Sequence, residues 1–179
     1  AGWYAGECLK DVAQDVELRF YRMVNPATYA TDFPASAPKL KWYKDIGEVV
    51  MHSNLASTEN NLSLAFRSST FGSGSHTLAD QNSFNLLYGG KEVYYHTGYY
   101  LNFSDAHNLM SYRHTRAHNS ILVDGIGQPF STEGYGMLLR AAGGEHIGYC
   151  LGDASHAYCG ISEDPMWIES FQKAGIEQT

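Results

Sequence analysis

Apolar positions change their period once along the chain. Leu9, Val12, Ala13, Val16, Phe20 and Met23 recur at steps of three and four, which predicts one apolar helical stripe over residues 3–23. Asn25-Pro26 stops it. Residues 25–45 hold Pro26, Pro34 and Pro38 among scattered Ala, Ser and Lys and read as a linker. From Ile46 the period shortens towards two. IGEVVMH (46–52) and NLSLAFRS (61–68) predict short strands. NSFNLLY, Gly89-Gly90 and KEVYYHTGYY predict a hairpin, because two glycines accept the positive φ of a two-residue turn. A polar stretch (102–116) precedes a predicted strand at NSILVDG, a turn at Gly125–Pro129 and strands near 135–142 and 144–152. The tail from Glu163 shows no closing element. The expected fold is mainly β: an antiparallel β-sandwich preceded by one N-terminal helix.

Composition narrows the function classes. The 179 residues suit one domain or part of one, and their 44% apolar share is enough for a sizeable core. A formal net charge of −7 argues against a general nucleic-acid binder, whose footprint should be basic. A local cationic cleft for an anionic substrate remains compatible with it. No apolar run reaches the ~18 residues of a membrane span, and no basic-then-apolar leader opens the chain. Cys8, Cys150 and Cys159 form neither a zinc ribbon nor a disulfide scaffold. Pairing of Cys150 with Cys159 stays open. The 13 Tyr, 8 Phe and 3 Trp suit a β-rich body, and also flat faces for sugar rings.

Chemistry clusters around histidine. His76, His96, His107, His114 and His118 fall within one β-rich stretch, and imidazole serves both as zinc ligand and as acid–base group near neutral pH. His76 follows a Gly/Ser loop, with Asp80 four residues on. Arg113, Arg116, His118 and Asn119 precede a predicted strand, and guanidinium groups suit carboxylates and sulfates. GxSxG, P-loop and HExxH signatures are absent.

FRSSTFGSGSHTLADQNSFNLLYGGKEVYYHTGYY followed by YRHTRAHNSILVDGIGQ resembles the C-terminal β-domain of heparinase II/III-type polysaccharide lyases, over roughly residues 46–155. That family joins an α/α-toroid to an antiparallel β-sandwich. The resemblance implies that 1–24 is the end of the toroid, 25–45 the interdomain linker and 46–179 an incomplete β-domain. The chain would then be a fragment whose missing toroid is a partner within the same protein.

The implied function is β-elimination from an acidic, uronate-containing polysaccharide such as a glycosaminoglycan or alginate. By the resemblance, His76 matches a catalytic histidine, with Tyr100 and Tyr112 as candidate catalytic tyrosines. His107, Arg113 and Asn119 are candidates for substrate binding, and His114 is expected at the surface. His118 matches a zinc ligand, and His96 stands where the family has an aspartate. Leu78 replaces a further expected ligand, which leaves a Zn2+ site short. The alternatives are a uronyl C5-epimerase of the same architecture and a non-catalytic carbohydrate-binding module. A periplasmic or secreted location follows from the resemblance alone.

Overall fold

The structure is a computed structural model and describes residues 37–74, 76–98, 102, 105–158 and 165–175. The predicted helix at 3–23, Tyr100 and Cys159 lie outside the described residues. Everything below belongs to one unit, Lys39–Thr179.

The body is an antiparallel meander of five strands in the order β1 (Leu40–Tyr43), β2 (Glu48–His52), β3 (Leu62–Arg67), β4 (Ser83–Tyr88), β5 (Lys91–Tyr94). A second ribbon pairs β6 (Met137–Gly143) with β7 (Gly148–Asp153). The register explains the two-residue period. Leu40 faces Met51 and then Leu64 and Leu86 across the sheet, while Trp42, Val49, Phe66 and Phe84 form the next row on the same side. Glu48, His52, Ser63, Arg67, Ser83 and Asn85 occupy the other side.

The β6–β7 ribbon packs on the apolar side. A Cβ on Gly143 would lie 3.0 Å from Leu40 Cβ, and one on Gly148 would lie 3.2 Å from the Met51 sulfur. Glycine lets the second layer approach at these points. The fold is therefore mainly β with antiparallel sheets, as expected.

The Gly89-Gly90 turn forms as predicted, with φ of 58° and 75°. Three expectations need correction. β1 falls inside the stretch read as linker, because alternation of Leu40 and Trp42 with Lys41 and Tyr43 already suits a strand. NSILVDG is not a strand. Asn119 pairs with the Phe84 backbone, but Asp124 (φ 52°) and Gly125 (φ 79°) then fold the chain back into one isolated Val123–Ile126 bridge. The tail does contain an element, α1 (Pro165–Lys173). Pro165 fits the first helical position, and Glu169 pairs with Lys173 one turn on at 2.7 Å.

Among the described residues, much of the interior is polar. Buried apolar residues are few among the described ones: Val49, Ala79, Leu109, Ala117, Phe130, Ala154 and Ala157. Ser68, Ser69, Ser73, Gln81, Asn108, Thr115 and Gln128 are buried with them. Each such group must find a partner or destabilise the fold. Gln81 and Gln128 answer that need for each other. Gln81 N–H donates to Gln128 Oε1 at 2.7 Å, and Gln128 Nε2 donates to Gln81 O at 2.8 Å. Gln81 Oε1 accepts from Ser69 N–H at 2.6 Å, and Thr115 Oγ1 bridges Gln128 N–H and Ala79 O. These bonds tie three loops together beside the sheet.

Candidate functional site

His76 sits on the loop between β3 and β4, and that loop is pinned at both ends. On the N-terminal side, Ser73 N–H donates to Ser131 O at 2.9 Å, and Ser73 Oγ donates to Pro129 O at 2.8 Å. Gly72 has φ of 61°, and a Cβ there would meet the Ser131 and Thr132 carbonyl oxygens at 2.6 Å. On the C-terminal side, Ala79 N–H donates to Arg113 O at 3.0 Å. Between them, Thr77 N–H and Oγ1 both donate to Gly74 O. The His76 side chain itself is exposed. An exposed imidazole on a pinned loop is the arrangement a group needs to meet a substrate without first ordering itself.

The segment 105–118 places four more candidates. Asp105 Oδ1 accepts from the N–H of His107 and Asn108 and starts a short π-helical turn at Asn108–Tyr112. His107 is exposed and meets the Tyr112 ring edge-on at 4.6 Å. Gly98 packs against the Tyr112 ring, and Thr97 N–H donates to Ala117 O at 2.9 Å. These contacts bring the His96 segment onto the same edge, with the His96 and His118 rings 6.1 Å apart.

Both rings of that pair have fixed tautomers. His96 Nδ1 lies 2.7 Å from Gly98 O, and His118 Nε2 lies 3.0 Å from Tyr112 O. A carbonyl only accepts, so these nitrogens carry the protons. In a neutral ring so held, the lone pair is left on His96 Nε2 or His118 Nδ1. Burial pushes the His118 imidazole below its ordinary range. The Asp80 carboxylate and the Tyr112 carbonyl oppose that shift but do not cancel it. His118 is thus neutral at pH 7, as a ligand must be.

Two substrate-binding expectations are corrected. Arg113 has no solvent exposure, and its guanidinium donates to Thr77 O inside the fold. Asn119 Nδ2 donates to Phe84 O at 2.9 Å, and its own carbonyl accepts from Phe84 N–H, so its amide extends the edge of β4. Arg113 is thus withheld from a ligand, and the Asn119 amide nitrogen is already engaged.

The exposed cation on this segment is Arg116. His114 Nδ1 accepts from Arg116 N–H at 3.1 Å and from Arg116 Nε at 3.3 Å. His114 is half-buried against Phe130 rather than at the surface. Burial, then the Arg116 charge, then His118 lower its pKa to about 4. It therefore stays a neutral acceptor and aims the guanidinium. The repeat in Arg113-His-Thr-Arg116 signals two cations, but only tertiary packing decides which is buried.

Asp80, four residues after His76, is also buried. Its Oδ1 lies 3.2 Å from Arg67 Nε, and Arg67 also reaches Glu48 at 3.1 Å. Burial raises the Asp80 carboxyl, with Arg67 and His118 pulling the other way. Asp80 is part of the scaffold. Cys150 carries a free thiol.

Residues 35–149 match the family model described as heparinase II/III-like, C-terminal. The chain belongs to this family. The β-domain of the family also has structural counterparts. One is a heparinase III gene product with methylated lysines, at a TM-score of 0.56 and 16% identity over 76% of this chain and 22% of that one. Another is a crystal structure of heparinase III, at a TM-score of 0.52 and 16% identity over 75% and 23%. At such identity the likeness shows the fold. The chain spans under a quarter of either protein. No curated protein matches it.

The family's zinc can be tested against these residues. Two imidazoles on one tetrahedral zinc at ~2.0–2.1 Å hold their ring centroids roughly 5 Å apart. The 6.1 Å between His96 and His118 is close to that, and their carbonyl partners are of the kind that orient zinc-binding histidines. Yet no group of three His, Cys, Asp or Glu side chains that would hold a metal occurs among the described residues. Leu78, half-buried, offers no donor. The described residues therefore do not fit a zinc ion, because two imidazoles leave two of its four positions without a donor.

Proposed function

We propose that this chain supplies the β-domain half of a cleft in which a uronate-containing acidic glycan is cleaved by β-elimination. The observation that carries the proposal is the exposed His76 imidazole on a loop held by Ser73, Thr77 and Ala79. In β-elimination, the bond from C5 to hydrogen breaks to a base and the C4–O4 bond breaks as the C4=C5 double bond forms. An acid gives its proton to the departing O4. The carboxylate beside C5 must be neutralised as negative charge develops. His76 and Tyr112 supply the proton-transfer groups on this side of the cleft. Tyr100 remains a candidate outside the described residues. His107, edge-on to Tyr112, and Arg116 take the carboxylate or sulfate groups, with Arg116 in the place first given to Arg113. The opposite wall and its carboxylate partner come from the toroid domain. A periplasmic or secreted location suits a polymeric substrate. No described helix is long and apolar enough to cross a membrane.

The test uses the full-length protein with heparan sulfate and with alginate. Product is followed by the ultraviolet absorbance of the unsaturated uronate. Absorbance growing with time supports the lyase. Solvent deuterium entering C5 with no absorbance change indicates the epimerase. Binding with neither indicates a glycan-binding module. Residues 1–179 alone are expected to turn over little, because half of the cleft is absent.

A further inference from the structure

Arg113 is a buried charge that the elimination chemistry does not use. Burial of a guanidinium is costly unless its environment repays it, and a chain needing only volume at this point would be served by an apolar side chain. Three hydrogen bonds of Arg113 meet at one junction. Its guanidinium donates to Thr77 O, the carbonyl next after His76. Its own carbonyl accepts from Ala79 N–H at 3.0 Å, and its N–H donates to Asn108 O at 2.9 Å at the end of the π-helical turn. The buried residue thus joins the His76 loop to the segment that carries His107 and Tyr112. Leu109, buried beside Ala79 and Phe130, closes the apolar side of the same junction.

We propose that Arg113 is a positioning residue. Through the Thr77 carbonyl it fixes where the His76 imidazole stands relative to Tyr112. This rests on His76 being an acid–base group of the elimination. A backbone carbonyl has two lone pairs and no side-chain alternative, so the sequence can replace this contact only with another donor in the same place. Lysine keeps the charge but lacks the planar fork that spans from the buried stem to the carbonyl.

The experiment compares wild type with Arg113→Lys in the full-length protein. Amide hydrogen exchange is read at Thr77 and Ala79 and in strands β2 to β4. Elimination kinetics are measured on heparan sulfate and alginate. Positioning predicts faster exchange at Thr77 and Ala79 with unchanged protection in β2 to β4. It also predicts a kcat lower by about 10–100-fold, in line with the sensitivity of catalysis to small displacements, and a KM within about twofold of wild type. Loss of protection spread equally through β2 to β4 would overturn the proposal and make Arg113 a general stabilising residue. Unchanged exchange at Thr77 and Ala79, or an unchanged kcat despite local loosening, would also overturn it. If wild type shows no elimination on either polymer, the lyase reading fails on its own, and the exchange pattern alone then judges whether Arg113 holds the loop.

Discussion

Replacing Gln128 with methionine should separate a structural role of the buried amide network from simple packing. Gln128 is 3% exposed and sits between three loops. Its Oε1 accepts from Gln81 N–H at 2.7 Å, and its Nε2 donates to Gln81 O at 2.8 Å, to Tyr158 OH at 3.0 Å and to Ser120 Oγ at 3.4 Å. Methionine fills nearly the same volume and removes all four bonds. Gln81 O keeps a partner in Ser120 Oγ at 2.9 Å, and Tyr158 OH still donates to Ile121 O at 2.7 Å. Gln81 N–H keeps none, and an orphaned buried donor costs ~1–3 kcal/mol, with about 1 kcal/mol more for the favourable bonds lost. The sum is about 2–4 kcal/mol, or roughly 5–15 °C in melting temperature for a chain of this size.

The assay is thermal and urea unfolding followed by circular dichroism. Gln128→Glu is the companion variant. It keeps the acceptor but sets a second carboxylate oxygen against the Gln81 carbonyl. Its folded-state pKa is then raised above the unfolded ~4.3, so its stability should recover as pH falls from 7 towards 4.3 relative to wild type. The methionine variant should show no such recovery. A methionine variant melting within about 1 °C of wild type, where a shift several times larger is expected, would refute the argument.

Other consequences are equally direct. Gly47 has φ of 70°, and a Cβ there would collide with the Ser68 carbonyl; Gly47→Ala should therefore cost at least ~3 kcal/mol in urea unfolding. Burial lowers the pKa values of His52, His114 and His118. Their contribution to stability is complete above their unfolded pKa of 6.5 and is lost as pH falls, for His114 down to about 4. Asp80, with its carboxyl raised, contributes in the opposite direction. His114→Asn should therefore flatten the dependence of the unfolding midpoint on pH between 6.5 and 4, and an unchanged slope would contradict the burial argument. Arg116→Ala in the full-length protein should raise KM about 10-fold, as loss of a charge-assisted bond to substrate would, with kcat little changed.

The sheet was legible because its signal is local. Alternation over β2, β3 and β4 and the Gly89-Gly90 pair specify strands and register without reference to the rest of the chain. The elements misread were those where local pattern and tertiary context part. Ile121, Leu122 and Val123 look like a strand, yet no neighbouring strand pairs with them among the described residues, and Asp124-Gly125 turns the chain back. The helix at Pro165–Lys173 is signalled by its proline start and its Glu169–Lys173 spacing, both easily passed over in a short tail.

The candidate site shows the same division. Sequence located His76, His96, His107, Tyr112 and His118, and the structure brings the last four onto one edge, with the His76 loop joined to it through Arg113. It could not distinguish Arg113 from Arg116, because charge type is local and burial is not. Nor could it show Asn119 spending its amide on Phe84, or the pairing of Gln81 with Gln128 across 47 positions. Long-range satisfaction of polar groups leaves no period and no motif.

The central claim is that His76 acts on the substrate. The measurement that tests it most directly is the rate of unsaturated-uronate formation by the full-length protein carrying His76→Ala, beside wild type, on a polymer that wild type cleaves. His76 is exposed, so the variant should keep its melting temperature. A rate lower by ~10²–10⁴ with the fold intact is the result expected for a proton-transfer group. A rate equal to wild type would remove His76 from the chemistry and leave the pinned loop as scaffold alone.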